Sequence, residues 1–366
     1  SAALTASRPA ELSPALGRLV RSMNCYYSNL IEGHHTHPVD IQRALAGNYD
    51  TAPDKRNLQL EACAHIEVQE SIDEGQAPFP AVSEDFLHWA HHEFFERLPP
   101  DFTTARNPLT GEQQHVVPGA WRDRHVQVGR HRAPSPDQIP QLVHQFVEAY
   151  TPPKRPKTDQ IIAIAAAHHR LLWIHPFLDG NGRVARLLSH AMLRELGVGS
   201  NLWSVSRGLA RQVGDYKAKL ADADEPRHGD LDGRGNLSDR ALYEFCRFFL
   251  EVCLDQVRFM SGLLDPERFL ARITIWAEEE VAAGRIPRGS VSLLRHVALS
   301  GAISRRDTAR VTGYRERQAR TVTGALLARG CLTSDSPRAP LRLGFPPDLA
   351  EQWLPLLYPP ELPPHP

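Results

Sequence analysis

Apolar side chains recur at helical spacing from Leu16 to Ile31, where Leu16, Leu19, Val20, Met23, Tyr27, Leu30 and Ile31 fall on one face. Gly33 follows at the position where a glycine commonly ends a helix, so a helix is predicted over about 16–33. Similar patterns predict helices over roughly 39–47, 57–74, 83–97 and 137–150. The run 158–174 differs. Ile161, Ile162, Ile164, Ala165, Ala166, Ala167, Leu171, Leu172 and Ile174 leave almost no polar side, the mark of a helix surrounded by core. Pro176 stops it. After an Asp-Gly-Asn-Gly turn, Val184, Leu187, Leu188, Ala191, Met192 and Leu196 form the stripe of a second core helix. The turn between them is therefore fixed from both sides.

Residues 101–135 break this rhythm with Pro108, Gly111, Pro118, Gly119, Gly129 and Pro134. Val126 and Val128 stand two apart between Trp121 and Arg132, which predicts a short hairpin within about 119–132. Everything else up to Leu264 reads as helix or loop. A connecting helix is expected over 266–284, and residues 285–348 form a unit of their own. Val291, Leu294 and Val297 open one helix, a second runs near Arg305–Val311, Thr312-Gly313 turns, and a third runs near Arg315–Arg329. Strands Cys331–Thr333 and Leu341–Leu343 then flank a Ser-Pro-Arg-Ala-Pro turn. Helix, helix-turn-helix and two-stranded wing is a winged-helix order. Residues 1–12 read as a tail, and 349–366 as a Pro-rich tail.

Composition narrows the function classes. A chain of 366 residues with 42% hydrophobic and 23% charged residues is expected to be globular, with about two domains. The formal net charge of −1 supplies no chain-wide attraction to nucleic acid or membrane. No apolar run approaches the roughly 20 residues of a membrane span, and no signal peptide is evident. Five scattered cysteines without a C-x-x-C pair fit reduced thiols in a cytoplasm. Asp230, Asp232 and Asn236 lie in an Asp/Gly-rich stretch that fails the spacing of a calcium loop, so a solvated loop is expected there.

Candidate chemistry concentrates at 175–186, His-Pro-Phe-Leu-Asp-Gly-Asn-Gly-Arg-Val-Ala-Arg. Gly180 and Gly182 allow backbone conformations that aim successive N–H groups into one concavity. The following helix begins near Asn181, and its free N–H groups and dipole favour anions. Arg183 and Arg186 are three apart, on one helical face. Two guanidinium forks beside such a nest suit a polyphosphate. Asp179 offers a hard oxygen ligand for Mg²⁺ shared with phosphate, and a neutral His175 can take a proton from an incoming hydroxyl. The set describes phosphoryl or nucleotidyl transfer, where positioning and charge neutralisation dominate.

At these residues the chain closely resembles the Fic family, whose pattern H-P-F-x-[DE]-G-N-G-R-x-x-R is met at every fixed position. The resemblance extends over roughly 16–265. It implies a mainly α Fic-type helical core over 13–265 with a short β-hairpin flap. It also implies transfer of AMP from ATP with Mg²⁺ to a Tyr, Thr or Ser hydroxyl of a target protein, or of the chain itself. His175 would be the general base, Asp179 the Mg²⁺ ligand, and Gly180, Asn181 and Gly182 the binders of the α- and β-phosphates. Arg183 and Arg186 would take the outer phosphates. Phe177 would be a buried anchor. The flap, including Arg122, Val126 and Val128, would align a target segment by strand addition. Residues 28–33, Ser-Asn-Leu-Ile-Glu-Gly, resemble the family's inhibitory pattern through Ser28, Glu32 and Gly33. By that resemblance Glu32 would pair with Arg186 and occupy the γ-phosphate position. Tyr216 lies in a run, Ser204–Leu220, resembling the segment beside the adenine, though a core tyrosine fits as well. Fic proteins of this class are often dimers.

Three rival readings stand beside this one. A zinc hydrolase draws on His88, His91, His92 and Glu93 on one helix, with His34, His35 and His37 as another cluster, but H-E-x-x-H and its inverse are both missing. A nucleotide-sensing DNA-binding regulator draws on Arg315, Arg317 and Arg320 of the third helix in the C-terminal unit, where winged helices also mediate protein contacts. The third reading assigns the same site AMP removal or another phosphate-group transfer in place of AMP transfer.

Overall fold

The computed structural model describes residues 13–106, 111, 113–151 and 156–358. The expected tail at 1–12 lies outside the described residues. In chain order the helices are α1 (Ser13–Ile31), α2 (Pro38–Leu45), α3 (Pro53–Asp73) and α4 (Glu84–Phe95). Two strand pairs follow, β1 (Thr104–Arg106) with β2 (Gln113–His115), and β3 (Gln127–Val128) with β4 (His131–Arg132), both antiparallel. Next come α5 (Ile139–Tyr150), α6 (Lys157–Ile174), α7 (Asn181–Glu195), α8 (Val205–Arg211), α9 (Val213–Ala223), α10 (Asp239–Leu263) and α11 (Pro266–Ala282). The chain continues with α12 (Ser290–Ser300), β5 (Ala302–Ile303), α13 (Thr308–Thr312), α14 (Glu316–Ala328), β6 (Leu332–Thr333), β7 (Leu341–Leu343) and α15 (Pro347–Trp353).

The chain divides into two compact units. One runs from Asn24 to Gln256. The other joins the described residues up to Met23 with those from Val257 onward. In the first, α6 packs along α7, with α5 on α6, α4 on α7 and α3 on both α4 and α7. The apolar run of α6 explains its place: Ile164, Ala165, Ala167, Leu171 and Ile174 are all buried. Side chains define several helix starts. The Ser83 hydroxyl accepts from Phe86 N–H at α4, and the Ser204 hydroxyl accepts from Arg207 N–H at α8. Proline occupies the first turn of α2 and α3, where its missing N–H has no cost.

Periodicity located these helices to within a few residues but missed two features. The β1–β2 ladder consists of three-residue strands, too short to show alternation. The stretch 222–236 is not merely solvated loop. Asp232 is buried, its carboxylate accepting from the N–H groups of His228 (2.8 Å) and Arg240 (2.9 Å), and those contacts hold its pKa down to about 2.

In the second unit β5, β7 and β6 form an antiparallel sheet in the order β5-β7-β6. The Pro-rich tail expected from 349 is corrected here, since residues to Tyr358 are folded. Leu349, Ala350, Trp353, Leu354 and Leu357 are buried, and Trp353 packs edge-on to Trp276 at 5.3 Å. Residues 359–366 lie outside the described ones.

Candidate active site

The site is built on the end of α6. His175 takes the left-handed conformation (φ 50°, ψ 58°) while its N–H still bonds to Leu171 O at 3.0 Å. His175 and Leu356 are the only non-glycine residues with positive φ among the described ones. Such a conformation costs an L-residue roughly 1–2 kcal/mol and persists only where neighbours impose it. Arg122 does much of this. Its guanidinium is buried beneath the loop and donates to the carbonyls of His175 (2.7 Å), Arg124 (2.7 Å), Pro134 (2.6 Å) and Ile174 (3.4 Å). Its backbone N–H adds a bond to Pro176 O at 2.9 Å.

The rest of the loop is closed on itself. Asn181 uses its amide twice on Phe177, accepting from the N–H and donating to the carbonyl, each at 2.9 Å. Phe177 is fully buried and stacks on the His91 ring at 3.9 Å and 8°. His91 Nε2–H donates to Asp179 O (3.2 Å), and its Nδ1 accepts from Gly119 N–H (2.8 Å). Burial pushes the His91 pKa down to about 3, which keeps this neutral, two-ended arrangement. Gly180 (φ 77°) opens α7, and a Cβ there would strike the Phe95 ring.

His175 Nδ1–H donates to Leu172 O at 3.3 Å, which leaves Nε2 as the ring's lone-pair nitrogen. Burial, the largest influence, lowers its pKa to about 4, so the imidazole is neutral at pH 7. It lines an open cleft of about 710 Å³ together with Glu32, Gly182, Arg186, Tyr216 and His131. Arg186 is held by the Ser28 hydroxyl (2.9 Å), Ser28 O (3.2 Å) and the Glu32 carboxylate (2.5 Å). Burial alone would raise the Glu32 carboxyl, but Arg186 and then Arg183 outweigh it and hold it below its ordinary value. A Cβ on Gly182 would strike the Glu32 carboxylate, so the glycine lets that side chain approach the start of α7. Gly33 ends its turn with φ 87°.

Residues 81–193 match the Fic/DOC family. The matched segment includes α4 through most of α7 and the whole loop from His175 to Arg186. A "Protein adenylyltransferase Fic" of Nematostella vectensis is 30% identical over 173 residues, which are 47% of this chain and 37% of that protein. The namesake from Drosophila willistoni is 36% identical over 97 residues, 26% of this chain and 20% of its own length. The chain thus spans well under half the length of these relatives. In structure it resembles a Fic family protein from Desulfovibrio desulfuricans G20, with a TM-score of 0.51 and 20% identity over 91% of this chain and 88% of the other. That likeness shows the fold.

Several expected site residues of the Fic/DOC segment stand elsewhere than the spacing implied. Arg183 shares a helix with Arg186 but does not line the cleft. It is buried in an ion pair with Glu61 of α3 and lies over the Phe94 ring at 5.2 Å. The Asn181 side chain closes the loop on Phe177. Arg122 is not a flap residue but the anchor under the loop. Val126 is half-buried, and its carbonyl accepts from Ala133 N–H at 3.2 Å, whereas Val128 is 53% exposed on the hairpin beside the cleft. Tyr216 both lines the cleft and is buried, within 2.8 Å of His168 Nε2. Asp179 is exposed, one carboxylate oxygen accepting from Gly180 N–H at 2.6 Å. The histidines of the zinc reading have other partners: His88 Nδ1 bonds to Gly119 O, and His91 holds the loop. No group of three or more His, Cys, Asp or Glu is placed to hold a metal among the described residues.

Arg122→Ala should therefore be costly far from any substrate. It strips donors from four carbonyls, so a loss of about 2–4 kcal/mol is expected, read from the denaturant midpoint of the full chain. A change below about 0.5 kcal/mol, the usual range for a surface substitution, would show that the loop holds its shape without it.

Proposed function

We propose that the chain transfers AMP from ATP to a Tyr, Thr or Ser hydroxyl of a target protein and that Glu32 restrains this reaction. The observation that carries the reading is the joint placement of His175, Arg186 and Glu32 on one cleft, with Glu32 Oε1 at 2.5 Å from Arg186. In this reading the hydroxyl gives its proton to His175 Nε2. Its oxygen joins the α-phosphorus as the bond to the pyrophosphate oxygen breaks. Arg186 neutralises charge on the outer phosphates, and the open N–H groups at the start of α7 hold the inner ones. A hard carboxylate at the exposed edge of the loop suits Mg²⁺, and Asp179 is the residue that would hold it. The ion would supply charge neutralisation on the phosphates. Val128 and the short β3–β4 hairpin would align the target backbone. The chain's own hydroxyls are candidate targets.

The pH dependence tests the base. His175 works only when neutral, and its lowered pKa extends that form downward from the ordinary 6.5. Between pH 8 and 5.5 the kcat/KM for transfer should change by less than about twofold, whereas a base of ordinary pKa would lose about nine-tenths of its neutral form by pH 5.5. In Glu32→Gly the acid limb should move further down, because Glu32 raises the His175 pKa. A fall centred between pH 6 and 7 would contradict the assignment.

A further inference from the structure

We propose that the C-terminal unit binds duplex DNA through α14 and the β6–β7 wing. The order α12-β5-α13-α14-β6-β7 with a sheet arranged β5-β7-β6 is that of a winged helix, and α13 and α14 form its helix-turn-helix. Gly313 makes the turn with φ 72°, a conformation only glycine adopts freely. The buried face of α14 is Ala319, Val322, Thr323 and Leu326. Its opposite face presents Arg317, Gln318, Arg320, Thr321 and Gly324, all exposed. Two arginines, suited to phosphates or guanine edges, thus alternate with Gln318 and Thr321, which can hydrogen-bond to base edges, and Gly324 leaves room for close approach. The helix has 13 residues, about 20 Å at 1.5 Å each, and its width suits a major groove.

Charge points the same way. Residues 304–342 hold nine Arg against Asp307, Glu316 and Asp335, a balance of +6 in a chain whose total is −1. Arg306, Arg310, Arg315, Arg317, Arg320 and Arg338 are exposed, and the ion pair seen on α14 among the described residues is intrahelical, Arg320 with Glu316 at 3.0 Å. Such exposed pairs hold weakly and release to a phosphate. Around α14 and the wing no large apolar side chain is exposed between residues 300 and 355, and Leu299 (58%) and Leu356 (64%) flank that stretch. This inference is independent of the transfer chemistry.

The test is fluorescence anisotropy of the full chain with a labelled random-sequence 25-base-pair duplex. Binding is expected at 50 mM salt, falling roughly a hundredfold by 200 mM, as four or so phosphate contacts require. In Arg317→Ala/Arg320→Ala the slope of log affinity against log salt should drop by about 2, while Arg247→Ala, an exposed change in the other unit, should leave it unaltered. Circular dichroism confirms that the variants fold, since both α14 arginines are exposed. No binding at 50 mM salt overturns the proposal and leaves the face to a protein partner. Equal binding by the double variant and the parent overturns it as well.

Discussion

The Glu32→Gly chain is expected to transfer AMP about a hundredfold faster than the parent. The parent keeps Arg186 between Ser28 and the Glu32 carboxylate, the latter at 2.5 Å, on the wall of the cleft. A carboxylate there competes with the outer phosphate for the same guanidinium. In the proposed reading ATP would then settle with its phosphates displaced, and misplacement by about 1 Å can cost roughly a hundredfold in rate. Removing the carboxylate leaves the clamp fixed by Ser28 and open to phosphate. The double change Glu32→Gly with Arg186→Ala should lose the gain, which separates a restored clamp from a merely looser helix end. The measurement is incorporation of α-labelled ATP by the two variants and the parent. A single variant no faster than the parent would reduce Ser28–Gly33 to an ordinary helix terminus. If it were instead slower at removing AMP from a modified target, Glu32 would be a hydrolytic residue.

His175→Ala is expected to lower AMP transfer by roughly 10²–10⁴-fold, the range of a positioned general base. ATP affinity should stay within about threefold, because the imidazole addresses the hydroxyl and not the nucleotide. His175 is already neutral, since burial lowers its pKa to about 4, and its Nδ1–H is committed to Leu172 O, so Nε2 is ready to accept. Transfer by the variant at the parent's rate would remove His175 from the chemistry. Loss of ATP binding with the rate would make it a structural residue of the loop, whose left-handed backbone it supplies.

The loop from His175 to Arg186 was legible because its architecture is local: a stop, two glycines and a helix start must follow one another in the chain. Most helices were legible because burial imposes a 3.6-residue period, whereas α6 was placed in the core by its apolar run alone, and that run hid its outer side, where Ile162 is 50% exposed. What escaped depends on distant partners. Arg183 and Arg186 are equivalent by spacing, yet Glu61, 122 residues away, draws Arg183 into the core while Glu32 keeps Arg186 on the cleft. Nothing near Glu61 in the sequence marks it. Arg122 reads as one more polar residue of a loop-rich stretch, and only the fold reveals four carbonyls converging on it. His91 and Phe177 meet as stacked rings from elements 86 residues apart. The α15 helix was hidden by the prolines around it, although Leu349, Trp353 and Leu357 keep helical spacing.

The central claim is that AMP, and not another part of ATP, moves to a hydroxyl. It is tested most directly by incubating the Glu32→Gly chain with Mg²⁺ and ATP labelled at either the α- or the γ-phosphate, alone and with total cell protein, and reading label retained on protein. Retention of the α-label without the γ-label, lost on adding Arg186→Ala or His175→Ala, is the predicted result. Retention of the γ-label, or of neither label on any protein, would contradict it.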